Sequence, residues 1–235
     1  MDFWRNISES IYSNLLVEER WRIMAEGLAV TVQVSLWSIL LATAMGGLLC
    51  AMRMNRRHWM QVTVRSYVEL MRAVPILVLL LLLFYVILTD LPLSGMWVAI
   101  ISFMLYFSVY FCETFRTGIE SVDRGQWEAG FALGLKKFQT FTKIILPQAL
   151  TRIIPVFKGE VITLIKTTSV VGYVAVIDLT KASDILRSTT LDALFPLLLV
   201  TVVYIVLSQL TGWGLDVLDR HFTPKTGDHD KGKAS

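Results

Sequence analysis

Four stretches of the chain, residues 27–52, 73–89, 91–112 and 193–215, contain no Asp, Glu, Lys or Arg. No other feature narrows the fold as far. An α-helix rises about 1.5 Å per residue, so about 20 apolar residues cross a hydrocarbon core near 30 Å thick. Uninterrupted runs of this length, without alternation, point to helices rather than barrel strands. Composition agrees: 54% of the 235 residues are hydrophobic and 17% are charged, with a mean hydropathy of +0.59, too apolar for a soluble domain. Three runs suffice outright, and residues 73–89 become long enough if Ser66 to Arg72 continue the same helix. A fifth span, residues 152–177, is interrupted by Lys158, Glu160 and Lys166. An ion at the centre of a span costs about 2.5–3.5 kcal/mol and faces protein or a wet cavity, so this span should lie nearest any pathway. The expected fold is all-α and polytopic, with five transmembrane helices near 27–52, 66–89, 92–115, 152–177 and 193–217 in one domain, 23–222.

The loops assign an orientation. Arg53, Arg56, Arg57 and Arg65 follow the first span, and the next loop, residues 89–95, has no Lys or Arg. Arg116, Arg124, Lys136, Lys137 and Lys143 follow the third span, and Arg220, Lys225, Lys231 and Lys233 crowd the end of the chain. Excess basic charge marks the cytoplasmic side. That places the N-terminus outside and the C-terminus inside, as an odd number of spans requires. Residues 1–22 read as an amphipathic helix on the outer interface, with Phe3, Ile7, Ile11 and Leu15 on one face. Residues 223–235 read as a flexible cytoplasmic tail. No cleavable signal peptide is expected, because MDFWRNISES is polar where an apolar core is needed.

Several function classes fall away. The net charge of +3 reflects basic loops, and nucleic acid is not an expected partner. Cys50 and Cys112 lie in spans and read as buried thiols, with no metal site or disulfide framework. No nucleophile, base or ligand set converges on one membrane face, so no catalytic residue is assigned. No phosphate-cradling G-x-x-x-x-G-K-S/T occurs, so any ATP must be used by a separate subunit. A self-sufficient carrier would ordinarily be built from two repeats, and none is detectable.

One segment is neither span nor simple loop: residues 123–147, within which runs QWEAGFALGLKKFQTFTKIILP. Asp123 can cap a helix starting near Arg124, with Glu128 favoured in its first turns by the helix dipole. Gly134 can stop that helix by turning left-handed. A second helix would carry Phe138, Phe141, Ile144 and Ile145, with Pro147 opening the next. Phe131, Leu135 and Phe138 would form an apolar ridge, suited either to a groove on a partner protein or to lying on lipid.

The spacing Glu128-Ala129, then Gly134, then Ile144-Ile145-Leu146-Pro147 resembles the cytoplasmic coupling loop of permease subunits of bacterial ATP-binding-cassette importers. Gly130 stands where that family usually has a second alanine. Tyr67, Glu69, Arg72 and Pro75 resemble the Y-x-E-x-x-R-G-x-P stretch of the polar amino-acid branch (histidine, glutamine, arginine, glutamate), with Ala73 replacing the glycine. Glu113, Phe115, Arg116, Gly118, Gly125 and Gln126 resemble its run into the coupling loop. The fourth span departs, with Gly159 and Thr167 where the family has Asn and Asp. The resemblance implies the type I importer fold and a docking role for Glu128, Ala129, Gly130, Phe131, Gly134, Leu135 and Phe138. It implies no cofactor on this subunit, ATP used by two copies of a partner ATPase, a second permease copy or a sister permease, and an extracytoplasmic solute-binding protein. Transport of a polar amino acid across a bacterial inner membrane is expected, with methionine, a quaternary amine or, more remotely, a secondary carrier or membrane enzyme as alternatives. Thr167, Thr168 and Ser169 either line the substrate path or back-bond and pack. Lys166 either meets a substrate carboxylate, pairs with Glu160 or snorkels. Glu69 and Arg72 form either an ion pair or part of a gate.

Overall fold

A computed structural model describes residues 17–222, and within them every regular element is helical. After a short 3₁₀ turn, Val17–Glu19, come α1 (Trp21–Arg53), α2 (His58–Ala73), α3 (Ile76–Leu82, ending in a π turn, Leu83–Ile87) and α4 (Gly95–Glu120). Then follow α5 (Arg124–Ala132), α6 (Lys137–Thr140), a π turn (Phe141–Ile145), α7 (Leu146–Thr167), a 3₁₀ segment (Thr168–Val174), α8 (Leu179–Thr190) and α9 (Leu194–Phe222). The proposed interfacial helix up to residue 16 and the tail from residue 223 lie outside the described residues.

Helices α1, α4 and α9 are long and apolar enough to cross a membrane unaided. The other two spans are bent pairs. The expected continuous helix from Ser66 through Thr89 is broken: α2 and the α3 segment meet at 102°. Pro75 brings no N–H and excludes its predecessor from helical geometry, and Val74 is accordingly extended (φ −97°, ψ 126°). The fourth span also ends early. Its helix stops at Thr167, tightens through the 3₁₀ segment and turns at Ala175 (φ 58°). It then meets α8 at 54°. Residues 179–190, expected as an outer loop, are helical because Asp178 caps them, accepting from the N–H groups of Thr180 and Lys181 at 3.0 Å each.

The core is the α1–α4 contact. Gly46 permits it: a Cβ there would meet Phe111 Cβ at 2.8 Å and the Ser108 carbonyl at 2.9 Å, the close approach that small residues allow between helices in lipid. Phe103, Phe107 and Phe111 stack along the buried side of α4, and Phe157 of α7 joins Phe111 at 4.7 Å. At the opposite end, Thr31 of α1 accepts the Leu179 N–H at 3.0 Å and Gly27 packs against the Asp178 carbonyl. Lys158, one of the charges interrupting the fourth span, is neutralised by Asp216 of α9 at 2.6 Å.

Candidate functional site

Segment 123–147 folds from local signals. Asp123 Oδ1 accepts the Gly125 N–H at 2.6 Å, a side-chain N-cap for α5. Gly134 adopts φ +75°; its N–H donates to Phe131 O at 2.9 Å, and Leu135 N–H reaches back to Gly130 O at 3.1 Å. Those two bonds are the Schellman pair that closes a helix on a left-handed glycine. The Gly130 departure has a steric reason. A Cβ there would meet Thr140 Cγ2 at 2.4 Å, so α5 and α6 touch backbone to side chain.

Glu128 and Ala129 are exposed on α5, and Phe131 (50%) and Phe138 (76%) are strongly exposed. Leu135 is half-buried, which corrects the expected ridge. Its backbone N–H turns back to Gly130 O, and Leu133, 76% exposed, is the leucine that the loop leaves open to solvent. The second helix also differs from expectation. It does not end before Pro147; α6 runs through the π turn directly into α7, where Pro147 sits in the first turn.

The loop is anchored on a small core of its own. Trp127 stacks on Phe141 at 6.3 Å, Gln148 Nε2 donates to Gln126 Oε1 at 3.1 Å, and Val122, Ile145, Ala149 and Ile153 are buried beneath. Gly118 lets α4 seat Ile153, whose Cγ1 lies 2.3 Å from where a Cβ would be. Nearby, Glu113 joins Arg53 of α1 to Arg116 of α4, and Arg116 also pairs with Glu120. These contacts tie the loop to the ends of α4 and α7.

The residues expected along a path separate. Thr167 Oγ1 donates to Thr163 O and Thr168 Oγ1 to Ile165 O, each at 2.7 Å; these are helix back-bonds, and Thr168 is fully buried. Lys166 is exposed and forms no ion pair among the described residues, so the pairing with Glu160 is absent. With Ser169 it lines a cleft of ≈380 Å³ whose other wall is Thr201, Tyr204, Ile205, Ser208 and Gln209 of α9. Ser208 Oγ is buried there without a partner. Ser169 also lines a second cleft, of ≈320 Å³, with Thr180, Lys181, Asp184 and Arg187. Asp184 accepts hydrogen bonds from Arg187 at 2.5 Å and Lys181 at 3.2 Å. Glu69 and Arg72 do not pair. Glu69 binds Arg65 at 2.9 Å, and Arg72 lies 5.6 Å over the Tyr110 ring.

The α9 wall escaped the sequence reading. Its polar residues sit at helical spacing, but in the most apolar run of the chain, where a hydropathy average hides them.

Comparisons with known proteins agree with this geometry. The family described as "Binding-protein-dependent transport system inner membrane component" matches residues 43–224. The putative glutamine transport system permease protein GlnP of Rickettsia typhi is 29% identical over 197 residues, covering 83% of this chain and 90% of the relative. The probable glutamine ABC transporter permease protein GlnM of Bacillus subtilis is 34% identical over 157 residues, 66% of this chain and 72% of the relative. A crystal structure of an amino acid ABC transporter with histidines superposes with a TM-score of 0.79 at 26% identity, over 87% of this chain and 96% of that one.

Proposed function

Because the chain belongs to the binding-protein-dependent transport system inner membrane component family, and is thus a multi-pass transporter subunit rather than an enzyme, we propose that it forms half of the passage of an ATP-driven importer for polar amino acids. The observation that carries this reading is the rigid α5–α6 loop, with Phe131, Leu133 and Phe138 exposed and its own core tied to α4 and α7. An apolar face held out by a braced, charged loop suits a groove on a soluble partner. One copy of an ATPase would dock there, on Glu128, Ala129, Phe131, Leu133 and Phe138, with Gly130 and Gly134 shaping the face, and the second of the two copies would dock on the second permease. Closure of the ATPases would then tilt α4 and α7.

Five spans, counting each bent pair as one, put the basic loops and the α5–α6 loop in the cytoplasm and the end of α8 at the outer face. A solute-binding protein would approach the α8 side, and a second permease would complete the passage. The clefts joined at Ser169 offer hydroxyls, an amide and Lys166 to a small zwitterion. Thr167 and Thr168 would support this path by packing rather than by contact. The glutamine named for the relatives and the amino acid named for the structural neighbour support the substrate class.

The test is co-purification of the ATPase with the permease, with hydrolysis stimulated by the loaded binding protein. Phe138→Asp together with Leu133→Asp should abolish both while the permease still reaches the membrane. Full ATPase retention in that variant overturns the docking assignment.

A further inference from the structure

An apolar groove of ≈410 Å³ runs beside the loop, shares no lining residue with the clefts at Ser169, and every residue lining it is apolar. One wall is the α1 stripe Gly47, Cys50, Met54; the other continues from Phe141 along the α7 stripe Leu146, Leu150. Gly47 keeps it open, since a Cβ there would meet nothing within 4 Å, whereas its neighbour Gly46 is packed shut. The π turn at Phe141–Ile145 inserts a residue into the helical register, a device that recurs at functional sites.

Both walls end in cations on the same side of the membrane. Arg56 and Arg57 follow Met54 after one intervening residue, Asn55, and Lys143 lies in the π turn three residues before Leu146. All three are exposed, and none is in an ion pair among the described residues. Two carboxylates at that end are already taken, Glu113 by Arg53 and Arg116, and Glu120 by Arg116. An apolar slot at membrane depth with unneutralised cations at its mouth has the chemistry of an anionic phospholipid site.

We propose that this groove holds one acyl chain of an anionic glycerophospholipid of the leaflet on the loop side, with its phosphate at Arg56, Arg57 and Lys143. The lipid would lie between α1 and the stem of the loop, so the site is independent of the substrate carried; only the naming of that leaflet as cytoplasmic rests on the function proposed above.

The experiment is native mass spectrometry of the intact transporter released from nanodiscs containing phosphatidylglycerol and phosphatidylcholine. One phosphatidylglycerol per permease should be retained. Gly47→Trp, which fills the groove, should remove it, whereas Gly214→Trp, at another glycine whose Cβ would meet nothing, should not. Arg56→Gln, Arg57→Gln and Lys143→Gln together alter no buried residue and should lower the preference for phosphatidylglycerol over phosphatidylcholine by about tenfold or more. Retention unchanged in the charge variant, or equal in the two tryptophan variants, overturns the proposal. So does loss of the ATPase or of the second permease from Gly47→Trp with lipid retention intact, because the groove would then be covered by protein.

Discussion

Helices α4 and α9 are nearly equal in hydropathy and opposite in what they do with it. Their most apolar windows average 1.8 and 2.1, yet 56% of the first is buried within the subunit and only 17% of the second. In water such greasy helices would both be forced inside. In lipid the tails are as apolar as leucine, so hydropathy puts a helix in the membrane and says little about what it packs against. The difference lies in small residues and rings. Helix α4 presents Ser102, Ser108 and Gly118 at its contacts and fills the remaining space with Phe103, Phe107 and Phe111. Helix α9 turns Leu198, Val202, Ile205 and Leu210 outward, each more than half exposed.

The largest expected effect follows from that contrast. Gly46→Leu drives a side chain into the α4 backbone and should cost about 3 kcal/mol or more by overpacking. Thermal unfolding and size-exclusion profiles of the detergent-solubilised protein should show loss of a monodisperse fold. Gly214→Leu on α9, where a Cβ would meet nothing within 4 Å, should leave both unchanged. If the two glycines tolerate leucine equally, α4 is not the packed centre of the subunit.

The same opposition recurs in miniature in the loop. Gly130 is a glycine of close approach, and Gly134 one of backbone hand. Gly130→Ala should cost about 1–3 kcal/mol through its clash with Thr140, and Thr140→Ala in the same chain should restore most of it. A double-mutant cycle on loop proteolysis and ATPase retention should therefore show coupling of at least about 0.5 kcal/mol. Strict additivity would mean that the two helices do not touch as described. Gly134→Ala meets no atom but must hold φ +75°, at about 1–2 kcal/mol. No second substitution at a neighbouring side chain should rescue it, and an effective rescue by Thr140→Ala would separate the strain from its assigned cause.

How legible each region was depends on how local its signals are. The start of α5 at Asp123 and its stop at Gly134 are written within a few residues, and both could be placed before any coordinates. The break at Pro75 was also written locally, yet the need for a membrane-length helix argued for continuity and prevailed over the proline. Helix α8 was hidden because its polar, amphipathic composition resembles a loop until Asp178 is seen to cap it. The back-bonds of Thr167 and Thr168 depend on rotamers, and the pairing of Glu69 with Arg65 rather than Arg72 on a choice between two neighbouring turns. The α9 cleft needed the tertiary fold, since Ser208 and Thr201 acquire meaning only once Lys166 and Ser169 stand opposite.

The smallest expected effect lies on the bare face of α9. Leu198→Ala or Val202→Ala removes methyl groups that touch little within the subunit, and lipid replaces those contacts at almost equal free energy. Each variant should therefore change the stability of the isolated subunit by no more than about 0.5 kcal/mol, where the same truncation at Phe107 of α4 should cost about 3–5 kcal/mol. The informative case is the assembled transporter. A second permease seated on this face would replace lipid with close packing, and truncation would then weaken assembly while sparing the isolated subunit. Unfolding of the subunit alone, set beside the dissociation of the purified complex, separates the two. A large loss in the isolated subunit would show that α9 is packed within its own chain after all, and the contrast with α4 would collapse.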